Sequence, residues 1–120
     1  MLEIALVLGT LAALAAGAGA WTALAPDELL VGGLWIVVGG LAFGLPTGLV
    51  YHVELRRSLL RAGDLPARWW LHPTSLHGRV PRADRPRVLA WCRAGAFGCA
   101  LAFVGCAVVA LAAWRAAGVG

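Results

Sequence analysis

Lysine is absent from this 120-residue chain, and its ten basic residues are all arginine. Together with heavy use of alanine and glycine, that bias points to a GC-rich bacterial genome and carries no mechanism of its own. Other absences exclude chemistry. No ionisable group falls near the middle of any of the three long apolar runs, because Glu3 opens the first and Glu54 closes the second. Proton- or ion-coupled transport relies on such a group at membrane depth, so this class becomes less probable. The small multidrug transporters, with an acid well inside their first helix, are not matched. No histidine lies mid-run, where a haem held between helices would need one. No C-x-x-C or C-x-x-C-H pattern occurs, and His72 and His77 are separated by Pro73 rather than set four apart on a helix. Ser58 and Ser75 lack an elbow and a base, and Asp64 and Asp84 form no recognisable carboxylate pair. The expectation is of no enzyme, no catalytic residue, no cofactor and no metal site.

What is present is apolar surface. Residues of the apolar class make up 61% of the chain, well above the range of soluble domains. The expected fold is an all-α integral membrane protein, a single membrane domain over residues 1–120 with three transmembrane helices. The first span covers about 2–24, the second about 29–53 with a helical extension to about 62 that ends near Gly63, a residue suited to a C-terminal cap, and the third about 88–114. An interfacial connector covers about 64–85. The Ala16–Ala20 run imitates a signal-peptidase site, but the basic n-region is missing, so the first span is read as a retained helix. Pro26 stops that helix, Asp27 is placed to cap the next, and the short turn predicts an antiparallel hairpin of the first two spans.

Small residues mark the expected contact faces. Gly9, Ala13 and Gly17 form one row on the first span, and Ala12, Ala16 and Ala20 a second. Gly40, Gly44 and Gly48 form a groove without side chains on the second. Pro46 interrupts that row by deleting the bond to Ala42, which predicts a kink or local loosening near Phe43 to Pro46, and Thr47 can serve a freed carbonyl. On the third span Cys92, Gly95, Cys99, Ala102, Cys106, Val109 and Ala113 repeat with 4-3 spacing, a seam that favours a left-handed crossing. Successive cysteines there stand about 10 Å apart along the axis, too far to bridge, and read as small packing residues. The predicted packing set is therefore Gly40, Gly44, Gly48, Gly95, Cys99, Ala102 and Cys106.

Eight arginines lie between the second and third runs: Arg56, Arg57, Arg61, Arg68, Arg79, Arg82, Arg85 and Arg87. The N-terminus and the Pro26 turn carry none. The positive-inside rule then places the connector, residues 54–88, and the N-terminus in the cytoplasm and the C-terminus outside a bacterial plasma (inner) membrane. Tyr51, Trp69, Trp70 and Trp91 gather at the basic end, Trp21 and Trp114 at the other, and Trp35 is expected against a neighbouring helix. Leu55 and Leu59 share a face that should lie on the membrane surface or a partner helix. One helical turn fits between Pro66 and His72 and would display Trp69 and Trp70. Asp84 is placed to cap the third span, and Arg93 can snorkel to the interface.

The net charge of +4 would suit nucleic acid on a soluble face, but charges abutting apolar runs point instead to anionic head groups. Arg56, Arg57, Arg61, Arg68, Trp69, Trp70, His72 and His77 are the candidate interface or partner contacts. The expected function is a non-catalytic small membrane subunit that packs within a larger or homo-oligomeric complex, bound to lipid and other membrane subunits or itself. The alternative is a small homo-oligomeric transporter or channel. A haem-, metal- or lipid-active protein using His52, His72 and His77 ranks below both.

Overall fold

A computed structural model describes residues 2–118. All regular structure among them is helical: α1 (Leu2–Ala23), α2 (Pro26–Arg61), a short 3-10 helix, α3 (Pro73–Arg79), and α4 (Arg85–Ala116). Helices α1, α2 and α4 are each long and apolar enough to cross a membrane. At 1.5 Å per residue, the 36 residues of α2 run for about 54 Å, well past a hydrocarbon core of about 30 Å. The chain correspondingly reaches 58 Å in its longest dimension.

Helices α2 and α4 form the body of the molecule. They run antiparallel, with Gly33 against Val108 and Val109, Gly40 against Gly98 and Ala102, Gly48 against Gly95, and Ser58 against Asp84. The contact stripe on α2 passes through Gly33, Val37, Gly40, Gly44, Thr47 and Tyr51, and that on α4 through Gly95, Gly98, Ala102, Gly105, Val109 and Ala112. Both alternate steps of three and four, the period of a two-helix seam. Glycine is required at its centre. A Cβ on Gly40 would sit 2.5 Å from the Ala102 nitrogen and 2.8 Å from the Gly98 oxygen. The seam is thus backbone on backbone, where dispersion and Cα–H···O contacts replace side-chain interdigitation.

The heptad expected on the third span is correct in period and half correct in register. Gly95, Ala102 and Val109 belong to it, but the partner positions are Gly98, Gly105 and Ala112, one residue before Cys99, Cys106 and Ala113. Cys99 and Cys106 are exposed. Glycine wins those positions because even a thiol would hold the backbones apart.

Other local expectations are revised by the structure. Helix α2 begins at Pro26, whose missing N–H costs nothing at a first helical position. Its cap is not Asp27: the Ala25 N–H donates to the Glu28 carboxylate at 2.8 Å, half of a capping box. The helix runs unbroken through Pro46. Thr47 Oγ donates to the Phe43 carbonyl at 2.7 Å, one residue after the carbonyl that Pro46 leaves free. Its end is the glycine cap expected near Gly63, with φ +68°. There Asp64 N–H donates to Leu59 O and Gly63 N–H to Leu60 O, which makes a Schellman motif.

The connector holds its helical turn after Pro73 rather than before His72, while residues 67–71 make only turns. Leu55 and Leu59 do not face a membrane or a partner. Both are fully buried against the chain's own Leu76, Val80 and Val88, with Leu65, Trp69 and Trp91 around them. The connector thus folds back into a small capping unit over the basic end of the α2–α4 pair.

Helix α1 behaves differently. The two-residue turn does return the chain, yet α1 makes no packed face with α2 or α4, and its apolar window is unburied. Nothing meets the first small-residue row at Gly9 or Gly17, and Ala12 and Ala16 of the second are exposed. A closely packed hairpin of the first two helices is therefore not formed. Trp35, expected against a neighbour, is 70% exposed on the side of α2 away from α4.

Candidate functional site

The capping unit concentrates the polar chemistry. Asp84 is the N-cap residue of α4, but its side chain makes no capping bond. Its Oδ2 instead accepts from the Ser58 hydroxyl and from Arg61 Nη2, both at 2.9 Å, and Arg87 lies 3.7 Å from Oδ1. The Ser58 bond, helped by the Arg61 and Arg87 charges, holds the Asp84 carboxyl below the usual carboxylate range. Ser58 is fully buried, so this bond satisfies a hydroxyl that has no access to water. Glu54 Oε2 sits 2.9 Å from Arg87 Nη2, paired in charge but misaligned for a hydrogen bond. Arg79 and Asp64 pair at 3.4 Å, and Arg57 and Glu54 at 3.5 Å. Arg85 Nη2 donates to the Val80 carbonyl at 3.1 Å, tying α4 to the end of α3.

Aromatic and imidazole groups pack one layer inward. Tyr51 Oη and His77 Nε2 share a hydrogen bond of 2.6 Å between α2 and α3. The Nδ1–H of His52 donates to the Gly48 carbonyl at 2.8 Å. Trp69 stands 6.1 Å from the His52 ring, centroid to centroid. His72 is exposed, and its carbonyl accepts from Ser75. The three histidines are thus not gathered, and among the described residues no three His, Cys, Asp or Glu side chains converge to hold a metal.

The predicted contact set divides accordingly. Arg56, Arg68 and Trp70 are outward-facing, whereas Arg61 is committed to Asp84, and Trp69 and His77 are built into the cap. Of the predicted packing set, Gly40, Gly44, Gly48, Gly95 and Ala102 lie where α2 meets α4. Cys99 and Cys106 line a shallow groove of about 270 Å³ beside that seam, with Leu41, Leu45 and Phe103.

Two features escaped the sequence. One is an apolar cleft of about 600 Å³ between α1 and the α2–α4 pair, lined by Ala13, Gly17, Trp21, Gly33, Ile36 and Val108 among others. The other is Arg115, which reaches from the end of α4 to the end of α1. Its guanidinium donates to the carbonyls of Trp21 and of Leu24, the latter at 2.7 Å, and lies 5.4 Å from the Trp21 ring centroid. A cation on the last carbonyls of a helix satisfies orphan acceptors and opposes the negative end of the dipole. Proximity of Trp21 to Arg115 in sequence is nil, so no local pattern announced the pair.

Comparison with known proteins adds no constraint: no family model, no curated protein and no solved structure matches the chain.

Proposed function

We propose that the chain is a non-catalytic integral membrane subunit that works by packing within a larger or homo-oligomeric complex. The observation that carries this reading is the state of α1. A 22-residue apolar helix with two small-residue rows is held to its own chain at its end, by Arg115 on Trp21, and its apolar window is left unburied, although α2 and α4 satisfy each other. Small-residue rows favour close helix approach in lipid, and their use here falls to another subunit. In this reading α1, α2 and α4 cross a bacterial inner membrane. The capping unit and the N-terminus are cytoplasmic and the C-terminus is outside, an orientation that the positive-inside rule and the arginine distribution support. No nucleic acid is involved. Extraction in a mild detergent followed by light scattering should give a protein mass several times the 12.5 kDa of one chain. A monodisperse monomer would defeat the proposal.

A transporter or channel built on the glycine row of α2 fits less well. That row is occupied by α4 of the same chain, so a pore along it would require the α2–α4 pair to part. Ion or dye flux from proteoliposomes at rates above empty vesicles would restore that reading.

A further inference from the structure

Between residues 54 and 93 the chain has nine arginines and three acids. The structure sorts the arginines by what they already hold. All three acids are taken from within: Glu54 by Arg87 and Arg57, Asp64 by Arg79, and Asp84 by Arg61. Arg85 is held by backbone carbonyls. Arg56, Arg68, Arg82 and Arg93 are exposed and have no acidic or carbonyl partner among the described residues. They are spread around the unit, one on α2, two on the connector and one on α4.

We propose that these four arginines are the chain's anionic-lipid contacts, each engaging a phosphate-bearing head group, and that Arg61, Arg85 and Arg87 serve the fold alone. The proposal rests on the membrane reading above and names its lipid-facing residues. Charge complementarity supports it: with Glu54, Asp64 and Asp84 already paired, the excess positive charge has no counter-ion within this unit. Position supports it as well. Because α2 and α4 run antiparallel, Arg93 lies about 9 Å below Arg56 along the axis. That difference fits one residue at head-group level and one that snorkels up from the acyl boundary. Beside Arg68, Trp70 is 59% exposed, an interfacial ring with no place in the protein core. An arginine near an anionic surface contributes enough to change lipid association about fivefold.

The test is native mass spectrometry of the detergent-solubilised full chain, given equimolar phosphatidylglycerol and phosphatidylcholine. The native chain should retain phosphatidylglycerol preferentially. The variant R56Q/R68Q/R82Q/R93Q should lose that preference with an unchanged melting temperature, and each single variant should lower it by up to about fivefold. R61Q and R87Q should lower the melting temperature and keep the preference. Equal retention of the two lipids by the native chain would overturn the proposal, as would a quadruple variant that keeps its preference. Displacement of the lipid by inorganic phosphate at matched concentration would also overturn it, in favour of a free-anion site. The membrane reading is judged separately, by whether the chain stays with membranes through an alkaline wash.

Discussion

Single residues in the capping unit carry roles that their identities alone do not announce. Asp84 looks like a helix cap and acts as a tie between the ends of α2 and α4, through Ser58 and Arg61. Its carboxyl is held below the usual range, so its contribution is present above the unfolded value of about 3.9 and is lost as pH falls through the lower folded value. Thermal unfolding followed by tryptophan fluorescence should therefore show this tie intact at pH 5 and weakening only in stronger acid. D84N should remove that acid-dependent component. Leu55 and Leu59 are fully buried, and L59A should cost about 2–5 kcal/mol, as for other cavity-forming core substitutions. A cost near zero would mean that this leucine face meets lipid rather than the connector.

At the scale of helices, the α2–α4 seam depends on glycine at particular places. G40A would push a methyl group into the backbone of Ala102, and G105A would place one 2.6 Å from the Val37 nitrogen. Each should destabilise the pair by about 1–3 kcal/mol through overpacking. G39A, whose new methyl meets open space, should be neutral or slightly stabilising, because alanine favours helix by about 1 kcal/mol over glycine. Equal effects at positions 39 and 40 in a denaturant or steric-trap measurement would contradict the seam. Helix α1 depends instead on one distant clamp. R115Q removes two carbonyl bonds and a cation–π contact with Trp21. Spin labels on α1 and α4 should then report a broader distance distribution, with the α2–α4 distance unchanged.

The whole molecule is one self-sufficient antiparallel pair with a folded cap, plus a helix that hangs from its far end. Removing residues 1–24 should leave the melting temperature of the remainder nearly unchanged while reducing the mass of the detergent-extracted particle. A cooperative loss of all helical signal would show that α1 supports the fold after all. Much of this was legible in the sequence. Run length and apolar content determined the three long helices, Gly63 marked the end of α2, and the arginine distribution separated the two ends. Those signals are local or additive, so they survive without knowledge of neighbours. Tertiary structure alone decided the register of the seam, which moved from Cys99 and Cys106 to Gly98 and Gly105. A period shared by adjacent residues does not say which of them meets the partner backbone. It also decided which arginines are spent on internal acids and which remain exposed, because Arg61 and Asp84 lie 23 residues apart and meet only when α2 and α4 pair. The same reason hid the Arg115 clamp: an electrostatic contact acts through space, and the chain carries no record of that distance until it folds.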